Sequence, residues 1–302
     1  MRGEGIEDVS LLLQLLANGL VIAPLFSMLA VGFGLVWRSL RVFHLAYGGL
    51  FVISGYVFRT LCVRVGWQPW LSGIATILLA AIMGWLIELV LYRPFYKRNA
   101  ASGTILIASM GILVMLENTV AMIFGNELQT VPRGMASVVQ IGTVRLTSLQ
   151  LWGFGLGVVS VAVLWILVRR LRTFKALWAM GDQPELIPVL GLPLYRLRAM
   201  VLAISTAMAA IPACVITLDL GIDPFVGMSY LLIAAVAVLA GGVDSYRGWV
   251  TGAVALALLQ SLVVWKFSAR WMDLVTFGVL VAMLVFRRSG LVAGAKRVEE
   301  YG

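Results

Sequence analysis

Apolar residues along this chain gather into long uninterrupted runs, separated by short stretches rich in charge, proline and glycine. The runs cover 11–37, 70–92, 102–124, 150–168, 199–218, 229–243, 248–265 and 273–286, and a ninth, shorter one covers 45–58. Crossing a bilayer takes about 20 predominantly apolar residues in helix, and most of the runs approach that length. Continuous runs predict helices, whereas a membrane barrel would show segments of about ten residues with alternating polarity. The expected fold is all-α: a polytopic helical bundle of about 8–9 transmembrane segments forming a single domain over residues 1–302. The first run is too long for the apolar region of a signal peptide and is expected to remain as the first helix.

Two polar stretches stand out between the runs. The span 125–149 holds Gly125, Pro132, Gly134 and Gly142 and reads as a long loop, and the alternation in "SVVQIGTVRLTS" (Ser137 to Ser148) predicts a small hairpin. The second is "KALWAMGDQPELIPVLGL", Lys175 to Leu192, inside a loop of about 169–198. It predicts two short helical pieces. Thr173 is a candidate N-cap for the first, Asp182 and Glu185 form a D-x-x-E capping signature for the second, and Gly191 is a stop. Leu177, Met180, Leu186, Ile187 and Leu190 supply an apolar side, while Pro188 shortens or kinks the second piece. Within the runs, Gly32 and Gly34, Gly153, Gly155 and Gly157, and Gly248 and Gly252 are small residues of the kind that let helices approach closely.

Composition sharpens this picture. Of 302 residues, 61% are hydrophobic and 12% charged, against roughly 25% charged in soluble domains, and the mean hydropathy is +0.99. The net charge of +9 is better explained by membrane topology than by nucleic acid. With nine crossings and the N-terminus outside, the outer side holds Arg2, Arg59, Arg64, Arg133, Arg145, Lys266 and Arg270, leaving 16 of the 23 basic residues inside. That asymmetry favours an external N-terminus and a cytoplasmic C-terminus, with 125–149 external and 169–198 cytoplasmic. Trp67, Trp70, Trp265 and Trp271 fit interfacial belts. Cys62 and Cys214 support neither a disulfide framework nor a cysteine metal site, and His44, the one histidine, has no second ligand near it in sequence. There is no P-loop, so ATP-driven work would have to come from partner subunits, and Gly153–Gly157 lacks the context of a nucleotide fingerprint. No nucleophile elbow accompanies His44, so the chain is not expected to be an enzyme or to hold a cofactor. Inside the run 102–124, Glu117 and Asn118 are costly unless they face a cavity or a partner. Together with His44, Tyr47 and Ser54 they are the candidates for a translocation pathway, the competing reading being structural hydrogen bonds between helices. Glu88, close to Arg93, reads as an anchor.

Four stretches then resemble one family in the same order. "KALWAMGDQPELIPVLGLPLYRLRAM" is similar to the cytoplasmic coupling loop of the LivH branch of bacterial branched-chain amino acid ABC importer permeases. "RVFHLAYGGLFVISGYV" (Arg41 to Val57), "IELVLYRPF" (Ile87 to Phe95) and "DPFVGMSYLLIAAVAVLAGGVDSYRGWVTGA" (Asp223 to Ala253) resemble its other motifs. His44, Tyr47, Gly49 and Leu89 depart from the residues usual there, as do Trp178 and Pro188 in the coupling stretch. The resemblance implies the ABC importer permease fold, import of branched-chain amino acids or related small amides and urea, and a bacterial inner-membrane location. It also implies as partners a second related permease, two cytoplasmic ATP-binding subunits and an extracytoplasmic solute-binding protein. Asp182, Glu185, Leu186, Leu190 and Gly191 would contact the ATPase. The rival class is a secondary transporter driven by an ion gradient, for which Glu117 would be the principal intramembrane ionisable group.

Overall fold

A computed structural model describes residues 2–98, 100–132 and 137–286. Each apolar run forms a helix: α1 Arg2–Leu40, α2 Ala46–Val63, α3 Pro69–Ile87, α5 Ser102–Phe124, α6 Ser148–Arg170, α9 Leu194–Asp219, α10 Gly227–Gly241, α11 Tyr246–Lys266 and α12 Met272–Phe286. α3 starts on Pro69, where a missing N–H costs nothing, and continues through a π-helical turn, Glu88–Tyr92, into α4, Arg93–Lys97. Two further short helices, α7 Arg172–Met180 and α8 Leu186–Val189, lie in the polar stretch between α6 and α9. The predicted hairpin is present: β1 Val138–Ile141 pairs antiparallel with β2 Val144–Thr147 around Gly142, whose φ is 62°. Thr147 then opens α6 with a capping box closed by Gln150.

Among the described residues, seven helices or joined helices are long and apolar enough to cross a membrane. α10 has 15 residues, about 22 Å at the helical rise, short of the roughly 30 Å hydrocarbon core. α12 is described over the 15 residues up to Phe286. α10 ends where Gly242 turns to φ 97°.

α1, α2 and α9 are mostly buried, whereas α3, α5 and α6 present most of their surface outward. α1 is the central post, packed against α6, α9, α10 and α11. Long-range bonds sort the connections to two ends of the bundle. At one end, Arg145 N–H donates to Gln14 Oε1 at 2.7 Å, Gln129 pairs with Ile222, and Arg59 Nε donates to the Thr130 carbonyl at 3.1 Å. Trp67 and Trp271, in the α2–α3 and α11–α12 connections, and Trp70 and Trp265, at the adjoining ends of α3 and α11, are all exposed. At the other end, the C-terminus of α1 meets the α7–α8 segment and the α10–α11 connection.

Small residues make the close seams. A Cβ on Gly252 would strike the Ala237 carbonyl, and one on Gly34 would come within 2.6 Å of the Trp249 ring. Gly155 differs from the other glycines of its helix, because a Cβ there meets nothing within 4 Å. Gly252→Ala should therefore destabilise the detergent-solubilised protein by about 1–3 kcal/mol through overpacking. Gly155→Ala, at an open helical site, should be neutral or stabilising by about 0.5–1 kcal/mol. Thermal unfolding of the two variants checks this, and equal shifts would contradict the packing.

Candidate functional site

The α7–α8 segment is held to the bundle by a buried guanidinium. Arg38, near the end of α1, has a side chain only 6% exposed, and its Nη2 donates to both Asp182 oxygens, at 2.8 and 2.7 Å. Its Nε forms an ion pair with Asp244 at 3.1 Å, though without hydrogen-bond alignment. Arg41 follows with φ 55°, a left-handed conformation costly for a side-chain-bearing residue. That turn lets Arg41 Nε donate to the Gly181 carbonyl at 3.0 Å and brings its Nη2 within 3.7 Å of Asp182 and 3.8 Å of Asp244. Gly181 is required here, because any Cβ would collide with the Arg38 carbonyl. Trp178 lies under the guanidinium at 5.4 Å and against Trp249 at 5.5 Å, and Trp249 Nε1 donates to the Val243 carbonyl at 3.1 Å. Three chain segments 144 or more residues apart in places thus share one cluster: the α1 terminus, the α7–α8 loop and the α10–α11 connection.

This arrangement corrects the capping expected from sequence. Thr173 lies within the first turn of α7, whose N-cap is Leu171 with no side-chain cap. Asp182 turns to Arg38 instead of capping α8, and Glu185 sits at the N-cap position without a side-chain cap bond. The α8 helix is only four residues long, with Pro188 inside it, and Gly191 at φ 73° does end it. The apolar residues do not share one side. Phe174, Leu177, Met180 and Ile187 are buried in the protein, while Leu186, Val189 and Leu190 are exposed at 49%, 80% and 70%. The inner set anchors the loop; the outer set is an unpartnered apolar ridge.

The pathway candidates separate in space. His44 is fully buried in the α1–α2 connection, its Nδ1 bonded to the Tyr92 hydroxyl and its Nε2 unpartnered. Burial pushes its pKa down to about 3, so the ring is neutral. Tyr47 donates to the Leu29 carbonyl at 3.0 Å, and Ser54 to Leu50 of its own helix at 2.7 Å. Glu117 belongs to the buried stripe of α5 with Ile105, Ser109, Leu113 and Val120. Its Oε1 has no hydrogen-bond partner and lies beside the contact between Gly48 and Gly227, where α2 and α10 meet backbone to backbone. Asn118, one residue on, is exposed and donates to the Val114 carbonyl at 2.8 Å. Sequence reasoning passed over Arg38, Arg41, Gly181 and Asp244; the arginines entered only as topology charges. Glu88 is fully buried, with the charges of Arg198 and Arg93 acting on it. Cys62 and Cys214 are both free thiols. Of the basic residues used for topology, Arg133, Arg287, Arg288, Lys296 and Arg297 lie outside the described residues.

The sequence model of a family described as "Branched-chain amino acid transport system / permease component" matches residues 15–284. The high-affinity branched-chain amino acid permease protein LivH of Escherichia coli K12 is 25% identical, over 97% of this chain and 99% of its own length. BraD of Pseudomonas aeruginosa is likewise 25% identical, over 95% and 97%. A probable LivH of Methanocaldococcus jannaschii is 24% identical, over 93% and 90%. Among solved structures, PsaBC from Streptococcus pneumoniae in complex with Fab superposes with a TM-score of 0.51 over 90% of this chain and 91% of its own, at 16% identity, a likeness of fold.

The cluster makes a local prediction. Asp182→Ala leaves Arg38 short of its best-aligned acceptor and should raise the free energy of the docked loop by about 1.5–3 kcal/mol. Tryptic cleavage after Lys175 and Arg196 should accelerate at least tenfold, while Glu185→Ala should cleave like wild type. Equal protection of both variants would contradict the clamp.

Proposed function

The chain belongs to the permease-component family of branched-chain amino acid transport systems, and from that premise we propose that it is the membrane subunit of a binding-protein-dependent ABC importer. Its relatives are named transport permeases, not enzymes. The solute in this proposal is a branched-chain amino acid or a related small amide, urea included. The partners are a second related permease, two cytoplasmic ATP-binding subunits and an extracytoplasmic solute-binding protein. The membrane is the bacterial inner membrane, with the N-terminus outside and the C-terminus in the cytoplasm, as the distribution of basic residues favours.

The observation that carries this reading is the two-sided α7–α8 segment. Its outer ridge of Leu186, Val189 and Leu190 offers an apolar contact to an ATP-binding subunit, with Glu185 and Gly191 beside it. Its inner side is locked through Ile187 and Asp182. Force on the ridge passes through Asp182 to Arg38 and so to α1, which packs against α6, α9, α10 and α11; the Asp244 arm carries it to α10 and α11. A membrane-surface role would want a Lys/Arg-rich polar face, and between Lys175 and Arg196 there is no basic residue. Binding energy for the solute would reside largely in the soluble receptor, leaving His44, Tyr47, Ser54 and Glu117 as the polar candidates for lining its route, with Asn118 on the outer face of α5.

Reconstituted with its partners, the chain should accumulate solute only with ATP, and uptake should survive collapse of ion gradients. Leu186→Glu with Leu190→Glu should reduce co-purification of the ATPase by at least about tenfold and abolish uptake, with membrane insertion intact. Gradient-driven uptake by the chain alone would instead support the secondary-transporter reading. Thr173→Cys should label only from the cytoplasm and Gln140→Cys only from outside; labelling of both from one side would overturn the orientation.

A further inference from the structure

Between α1, α6 and α11 lies an apolar groove of about 580 Å³. It runs along the bundle from Leu20, Phe154 and Val254 to Ser27, Trp165 and Arg247. From Phe154 to Trp165 the helical rise gives about 16 Å, roughly half of the hydrocarbon core and so the depth of one leaflet. The hydroxyls that line it are already bonded to backbone carbonyls. Ser27 donates to the Ala23 carbonyl at 2.8 Å, Thr251 to Gly248 at 3.1 Å and Tyr246 to Val161 at 2.7 Å. The surface left to an occupant is hydrocarbon.

One end alone is charged. Arg247 lines the groove there, and Arg169 sits 4.1 Å from the ring of Trp165, which also lines it. Both arginines are exposed, and among the described residues no carboxylate forms a salt bridge with either. This end is the one that carries the α7–α8 segment, because α6 leads into α7 and α11 follows the connection holding Asp244.

We propose that this groove is a binding site for an anionic glycerophospholipid of the surrounding membrane, with an acyl chain along the groove and the phosphate on Arg247 and Arg169. A leaflet-deep apolar trough capped by two unpaired guanidiniums and a tryptophan matches such a lipid from tail to headgroup: arginine forks suit phosphate oxygens, and the indole suits the interface. A packed protein helix would have to bring carboxylates of its own to the two arginines, whereas the lipid carries its phosphate at the depth where they lie. The proposal is independent of the transported solute and of the partner subunits.

The test places the full-length chain in phosphatidylcholine vesicles doped with either spin-labelled phosphatidylglycerol or spin-labelled phosphatidylcholine, and reads the motionally restricted population. Phosphatidylglycerol should be favoured roughly fivefold or more. Arg169→Gln with Arg247→Gln should bring the ratio close to one while restricted lipid persists; the corresponding Lys pair should keep a preference. Val158→Trp, which fills the trough, should remove the phosphatidylglycerol excess and leave only the lipid shell that both labels share. On the unaltered chain, about 1 M salt should erase the headgroup preference by screening. Equal affinity for the two lipids, a preference that survives the Gln pair or high salt, or cross-linking of Val158→Cys between two copies of the chain would overturn the proposal.

Discussion

A guanidinium buried at the end of a central helix has to find its counter-charges, and much of this bundle's one end is arranged to supply them. Removing Arg38 from water is costly unless carboxylates stay within reach, and both that reach it, Asp182 and Asp244, stand on connections distant from it in sequence. Once they are drawn in, neighbouring choices follow. Gly181 must lack a side chain because the Arg38 carbonyl occupies its place, Arg41 must turn left-handed to reach the same carboxylates, and Trp178 slides between the guanidinium and Trp249. Trp249 in turn rests on Gly34 of α1. Asp182 and Asp244 remain about half exposed, so solvent screens the pairs. Their weight lies in geometry, as three segments pinned to one point.

Away from that cluster the helices meet across small residues. Gly241, Gly248 and Gly252 bring α10 and α11 backbone to backbone, and Gly48 and Gly227 do so for α2 and α10 beside Glu117. Such seams bring backbones into close contact with few side chains between them. In the proposed importer, the joint at one end and these seams along the spans are the route by which movement of the loop would become movement of helices. α10, too short to cross the bilayer by itself, touches both a seam and the joint.

Most of the helical architecture was legible because lipid solvent enforces a simple rule: backbone polar groups must be satisfied within the segment, so apolar runs are helices. The hairpin at 138–147 was legible for a similar local reason, alternation around Gly142. The joint was not. D-x-x-E at Asp182 and Glu185 is a local signature, and the partner that overrides it, Arg38, lies 144 residues away. Arg38 and Arg41 looked like the flanking charges of any spanning helix. Glu117 and Asn118 are adjacent in sequence but about 100° apart on a helix, and only Glu117 shares the four-residue stripe of Ile105, Ser109 and Leu113. That stripe was visible in the sequence and would have told them apart. The contact of Gly48 with Gly227 joins distant runs, and no local pattern announces it.

The most direct test of the joint as the transmitting element is a double-mutant cycle between Arg38 and Asp182, read as solute transported per ATP hydrolysed in the reconstituted complex. With Arg38→Gln and Asp182→Asn, each single change should uncouple hydrolysis from uptake. The double variant should be no worse than the poorer single, giving a coupling energy of about 1–3 kcal/mol. Losses that simply multiply, or single variants that transport as efficiently per ATP as the unaltered chain, would contradict the account.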